Sequence, residues 1–261
     1  MTNTGTMTQP KFFADSYTMF KRCLTKTLRS PEAVVMALIV PMVMMVMFGY
    51  VFGGVVDLGE VNYINFIVPG IIVQCVINAA NTTAFGIQSD MTSGIIDRFR
   101  SMAISKSAVI SGHVWVSVIR SIVITAATIG IAFVMGFRPV AGFVDWLLIV
   151  GILVLFIIAV TWLVVIFGLV STDPEALNGI SFLLLVFVFI SSAFAPTETL
   201  PRALQVFAEN QPITPVVNAL RSLMLGFPTN GEVLTAILWC VGIAVGSFVL
   251  AVQIYKAKLT K

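Results

Sequence analysis

VDWLLIVGILVLFIIAVTWLVVIFGLV, residues 144–170, carries no charge after Asp145 and has no break in its apolar character. A helix rises about 1.5 Å per residue, so this run exceeds the roughly 20 residues needed to cross a hydrocarbon layer about 30 Å thick. Backbone N–H and C=O groups find no partner in lipid, so a run of this length must be helical. Five more runs read the same way: Ala33–Phe52, Ile64–Ile87, Val114–Phe137, Gly179–Phe194 and Val233–Tyr255. The fifth in chain order, Gly179–Phe194, is short and ends in the polar Ser191 and Ser192. Composition agrees. Of 261 residues, 58% are hydrophobic and 10% charged, with a mean hydropathy of +1.02. A soluble domain carries about 25% charged residues. The expected fold is an all-α membrane protein of six transmembrane helices.

Lys and Arg set the orientation. Lys11, Lys21, Arg22, Lys26 and Arg29 precede the first run; Arg98, Arg100 and Lys106 follow the second; Lys256, Lys258 and Lys261 end the chain. With six alternating helices these eleven fall on one side, against Arg138, Arg202 and Arg221 on the other. Both termini are therefore expected in the cytoplasm.

The segments that do not span are as informative. Residues 1–9 read as a disordered tail, 10–30 as an amphipathic helix and 31–261 as the transmembrane domain. In the helix, Phe13, Tyr17, Phe20, Leu24 and Leu28 share one face by their spacing, while Lys11, Asp15, Thr18, Arg22 and Lys26 line the other. Pro10 suits a first turn, and Ser30-Pro31 stops the helix. Such a helix lies on the membrane surface, basic face toward the headgroups. Between the fifth and sixth runs lie two short amphipathic stretches. Leu200, Leu204 and Phe207 mark the first; Ile213, Val217, Leu220 and Met224 mark the second. Neither is long enough to span, which suggests a pair of short helices dipping into the outer leaflet.

No catalytic constellation is readable. His113 is the sole histidine and, beside Trp115, suits an interfacial anchor. Cys23, Cys75 and Cys240 show no ligand spacing, so no metal site is expected. No basic stripe suggests nucleic acid. No acidic residue lies near the middle of a run, where ion-coupled carriers place one. Arg120 lies about two turns inside the third run. Snorkelling or packing against a neighbouring helix is the first expectation for it, and contact with an anionic substrate on the transport path the second. The loop after the second run has an apolar face (Met91, Ile95, Phe99, Met102) and charges (Asp90, Asp97, Arg98, Arg100) suited to docking a partner.

Three stretches carry a family likeness. The first is Arg29-Ser-Pro-Glu through Ile39-Val-Pro41 to Phe48-Gly-Tyr-Val-Phe-Gly53. The second is Phe66-Ile-Val-Pro69-Gly70, then Asp90-Met-Thr-Ser-Gly94-Ile-Ile-Asp97-Arg98-Phe-Arg100 up to Lys106 and Ser111-Gly-His-Val. The third is Ser191-Ser-Ala-Phe194, Leu200-Pro201, Phe207 and Asn210-Gln-Pro212-Ile-Thr-Pro215 up to Arg221. Together they resemble ABC-2 type permeases, specifically the daunorubicin-resistance branch. The family more often has Asn-Pro where this chain has Gln211-Pro212, and Arg where it has Lys106.

The resemblance implies a cytoplasmic elbow helix at 10–30, with Phe13, Tyr17, Phe20 and Arg22. It implies a coupling helix that docks on an ATPase, with Asp90, Met91, Gly94, Ile95, Asp97, Arg98, Phe99 and Arg100. On the outer side it implies a re-entrant helical pair with Pro201, Pro212, Pro215 and Arg221. The chain would not be an enzyme. It has no GxxxxGK[ST] phosphate loop, so ATP and Mg would sit on a separate ABC ATPase subunit, and this chain would hold no cofactor. A second permease copy or paralogue would complete a dimer in the bacterial plasma membrane. The expected activity is efflux of an amphipathic substrate (drug, lipid-like or peptide), as in multidrug resistance. The alternatives are a polysaccharide or glycolipid exporter and an ATP-independent carrier or channel.

Overall fold

The computed structural model describes residues 12–29, 31–52, 62–93, 106–229 and 231–260. These residues are helical throughout, joined by turns: α1 Phe12–Leu28, α2 Pro31–Val46 with a widened turn Met47–Phe52, α3 Tyr63–Thr92, α4 Lys106–Val134, α5 Phe143–Val170, α6 Pro174–Phe189, α7 Arg202–Asn210, α8 Ile213–Leu225 and α9 Glu232–Thr260. Among them α3, α4 (from Ile110), α5 and α9 are long and apolar enough to cross a bilayer. The expected first and fifth spans are the shorter α2 and α6.

Each boundary has a local cause. The Asn62 side chain accepts from Ile64 N–H at 3.0 Å and opens α3. Asp145 accepts from Gly142 N–H at 2.8 Å at the start of α5. The expected run Gly179–Phe194 is displaced: α6 begins at Pro174 because Asp173 caps it, accepting from Glu175 N–H. It ends at Phe189 because the Ser191 hydroxyl donates to Val188 O and accepts from Ala193 N–H, diverting the backbone into a turn. Gly136, at φ 102°, closes α4, with Phe137 N–H donating back to Ala132 O. The run expected to begin at Val114 begins at Lys106, so α4 carries Ser111, Gly112 and His113 within its helix.

The centre of the bundle is α3. Of its most apolar 18-residue window 78% is buried, against 17% for α9, which lies outermost. It packs on α2, α4, α5, α6 and α8. Gly70 makes this possible at one end. A Cβ there would stand 2.5 Å from Ala193 O and 2.6 Å from Ala193 Cβ, so the turn after α6 crosses directly over its backbone. Beside it the rings of Phe48 and Phe189 stack on Phe194 at centroid distances of 4.7 and 4.9 Å, joining α2 and α6 to this turn.

Arg221 joins the same region to α8. Its Nε donates to Phe66 O at 3.1 Å, Nη1 to Asn218 Oδ1 at 3.1 Å and Nη2 to Ser192 O, while Cζ lies 3.8 Å above the Phe66 ring. Pro69 lacks an N–H, so the α3 ladder is interrupted at this level. The guanidinium supplies donors to carbonyls there and at the turn. Asn218 also accepts from Ser192 Oγ at 2.6 Å, and Ser222 Oγ donates to Glu232 at the start of α9. The expected inward face of α8 (Ile213, Val217, Leu220, Met224) is buried, and so are Val216, Ala219 and Leu223. The helix is enclosed nearly all round.

Two substitutions test this packing. Gly70→Ala should cost about 1–3 kcal/mol through overpacking, seen as a lower unfolding midpoint in mixed micelles. Gly151→Ala, where nothing lies within 4 Å, should leave it unchanged. Arg221→Lys offers one nitrogen where the guanidinium uses three and forfeits the planar stacking on Phe66, and should lose about 2–4 kcal/mol, read from the same titration.

Candidate functional site

At the end of the bundle opposite Arg221, the two sides of the 94–105 segment are pinned together. Asp90, in the last turn of α3, and His113, in the second turn of α4, meet at 3.0 Å between Oδ2 and Nε2. Arg22 of α1 completes the group, its Nη1 donating to Oδ2 at 3.1 Å and its Nη2 to Oδ1 at 3.4 Å. This two-pronged approach suits a planar guanidinium on a carboxylate. The Asp90 side chain is only 2% exposed, His113 9% and Arg22 33%. A carboxylate this covered is stable only when paired, and removing one partner of such a pair costs about 3–5 kcal/mol.

The sequence distributes these three residues among different roles, and the structure brings them together. Arg22 was expected to face headgroups; it turns inward to Asp90. His113 was expected to anchor the interface; it is buried, while neighbouring Trp115 is 59% exposed. The reason is the docking of α1. Met19 and Cys23, between the expected apolar and polar faces, are the buried positions among the described side chains of α1, whereas Tyr17 is 67% exposed and Phe20 half-buried. Ser16 and Ser111 hydroxyls lie 3.0 Å apart. Gly112 allows the contact: a Cβ there would stand 2.8 Å from Met19 Cβ and 2.9 Å from its carbonyl carbon.

Other elements converge here. A void of about 10 Å³, no larger than one water, is lined by Ile87, Asp90, Met91, Ile110, His113, Leu169 and Tyr255 from α3, α4, α5 and α9. Gln88 Nε2 donates to Thr172 O at 3.1 Å, adding the α5–α6 connection. Of the residues expected to couple to an ATPase, Asp90 and Met91 lie in this junction. Gly94, Ile95, Asp97, Arg98, Phe99 and Arg100 lie outside the described residues. Phe13 lies in the first turn of α1.

Arg120 points across to α3, not along its own helix toward the end of the bundle. Its Nη2 donates to Ala79 O and Thr83 Oγ1, both at 2.8 Å. The same α4 face carries Ser117, 3.3 Å from Thr161 of α5, and Thr128, 3.3 Å from Cys75 of α3. These are interhelical polar contacts of the kind that join helices in lipid. No grouping of His, Cys, Asp and Glu that could hold a metal ion occurs among the described residues.

At the far end, Pro201 precedes α7, Pro212 precedes α8, and Pro215 is buried in the first turn of α8. Gln211 Nε2 donates to Phe187 O at 3.0 Å and Ile190 O at 2.8 Å, tying the α7–α8 corner to α6. Between α6 and α7 an open, mostly apolar groove of about 530 Å³ is walled by Phe187, Val206, Phe207 and Pro212.

A family profile described as ABC-2 type transporter matches residues 15–225, which include both ends of the bundle just described. The chain is 29% identical over 214 residues to the daunorubicin resistance ABC transporter permease protein DrrB1 of Streptomyces coeruleorubidus, covering 82% of this chain and 73% of that one. It is 23% identical over 239 residues to the probable doxorubicin resistance ABC transporter permease protein DrrC of Mycobacterium tuberculosis, covering 90% and 85%. With helices able to cross a bilayer and a profile match over most of its length, the chain belongs to the ABC-2 type transporter family.

Proposed function

We propose that this chain is the membrane-spanning subunit of an ATP-driven exporter that moves an amphipathic drug, lipid-like molecule or peptide out of a bacterial cytoplasm. The match to the ABC-2 profile over residues 15–225 carries the reading. The names of the relatives, resistance permeases for daunorubicin and doxorubicin, favour an amphipathic cargo. A chain without a phosphate loop needs a partner for ATP and Mg, so a separate ABC ATPase supplies the energy.

Six spans place both termini and residues 89–106 in the cytoplasm, in keeping with eleven basic residues against three. The ATPase docks on 89–106, and α7–α8 form the re-entrant pair on the outer side. A second copy or paralogue covers part of the apolar exterior, for which the exposed Val35, Ile39, Val43, Val46 and Tyr50 of α2 and its widened turn are suited. ATP binding closes the ATPases and shifts the permease pair toward an outward-open conformation; hydrolysis returns it. Transport requires only that the two conformations differ in substrate affinity and exposure.

Co-expression with its cognate ABC ATPase should yield a complex that survives detergent purification. A chain that purifies alone and transports without ATP would overturn the reading. Phe99→Asp should abolish substrate-stimulated ATPase activity while leaving insertion intact, and wild-type turnover would place the docking segment elsewhere. A cysteine at Thr199 should react with an impermeant maleimide added outside intact cells, and one at Ser93 only after lysis.

A further inference from the structure

We infer that Arg22, Asp90 and His113 are positioning residues: a fixed tether that makes α1, the end of α3 and the start of α4 move as one body during coupling. The inference rests on the reading of residues 89–106 as the ATPase-docking segment.

The geometry favours an anchor over a docking contact. The chain leaves α3 after Thr92 and re-enters helix at Lys106, with Asp90 two residues before the exit and His113 seven after the entry. Their 3.0 Å contact closes the base of the segment between them. A push on that segment cannot spread α3 from α4 without breaking a buried hydrogen bond. Arg22 extends the closure to α1, a helix separate in sequence from both. An ATPase cannot read the charge of a side chain that is 2% exposed and already bonded from two sides.

The contacts around the triad favour a fixed tether over a switch. Ser16 against Ser111 and Met19 against Gly112 hold α1 one turn from Arg22, and the Met19 backbone leaves no room for a methyl group at Gly112. Rolling or sliding α1 along α4 would drive the Met19 side chain into the α4 backbone. Packed interfaces of this kind move as rigid bodies because they do not deform continuously. The triad therefore carries displacement of the docking segment into α1 and, across Ser30, into α2.

The test uses the permease with its ATPase in lipid nanodiscs, in a background with Cys23 and Cys75 replaced by Ser and Cys240 by Ala whose stimulation ratio matches that of the wild-type complex. Arg22→Gln and His113→Gln should each lower the ratio of substrate-stimulated to basal ATPase rate by at least about fivefold, the lower end of an ordinary coupling factor. Ser16→Cys with Ser111→Cys, whose parent hydroxyls lie 3.0 Å apart, allows a disulfide between α1 and α4. In the background chain, oxidation should leave the ratio unchanged. In the Arg22→Gln chain it should restore most of the ratio, and reduction should remove the gain, a rescue that a merely destabilised fold would not show. Full stimulation in the single variants, or loss of stimulation when the disulfide forms in the background chain, overturns the tether. The rate of disulfide formation in the S16C/S111C variant needs no ATPase and should fall when Arg22→Gln is added; an unchanged rate also overturns the tether. Absence of any stimulation in the wild-type complex, with that rate still falling, would instead overturn the exporter reading alone.

Discussion

A peptide group inside a bilayer has no water to bond, so every interruption of a helix there must be answered by another part of the protein. The central helix α3 is interrupted at Pro69, and α6 stops at Phe189, at the same level of the bundle. Arg221 bonds the turn after α6 through Ser192 O and braces α3 through Phe66 O, the carbonyl next to the one that loses its donor at Pro69, while its own charge rests on the Phe66 ring. This explains why an arginine lies buried in α8, and why α8 is enclosed although it is too short to span. Gly70 is the matching concession, since only a residue without a side chain lets the Ala193 turn come close enough to share the guanidinium.

The two ends of α3 solve the burial of charge in opposite ways. At the Arg221 end a cation is dispersed over backbone carbonyls and a ring, and no carboxylate bonds it directly among the described residues. At the Asp90 end a carboxylate is held by a guanidinium and an imidazole from two other helices. Between them lie other contacts: Cys75 with Thr128, Ser117 with Thr161, and Arg120 with Ala79 and Thr83. The first two, between neutral groups, contribute on the order of 0.6 kcal/mol each in membranes, whereas the Arg120 bonds come from a charged donor and are stronger. Charged groups thus join the central helix to its neighbours at both ends and, through Arg120, in the middle.

Much of the fold was legible because hydropathy and helix length are local properties. The runs at 64–87, 144–170 and 233–255 fall inside α3, α5 and α9, and the amphipathic stretch at 10–30 contains α1. Boundaries set by hydrogen bonding were not legible from hydropathy. Ser111 and Gly112 looked like a loop, and His113 like the end of a span, because nothing in their neighbourhood announces that α1 will cover them. Asp173 and Ser191 shifted α6 through caps that a hydropathy count ignores. The site was harder for the same reason. Arg22, Asp90 and His113 were each read by their own surroundings, as headgroup contact, docking charge and interface anchor. Residues 68 and 23 positions apart reveal a partnership only once topology is known. The available hint was that an acid, a base and the sole histidine all fell at the same expected end of the bundle.

The solitary histidine has an experimental consequence. Because His113 has no counterpart elsewhere in the chain, isotope-labelled histidine would give a single set of imidazole signals from each copy in a magnetic-resonance spectrum, all belonging to one residue. That ring belongs to α4 and bonds Asp90 of α3, which Arg22 of α1 also bonds. The protein therefore carries a native reporter at the joint of three helices, able to register ligand or nucleotide states without any attached dye.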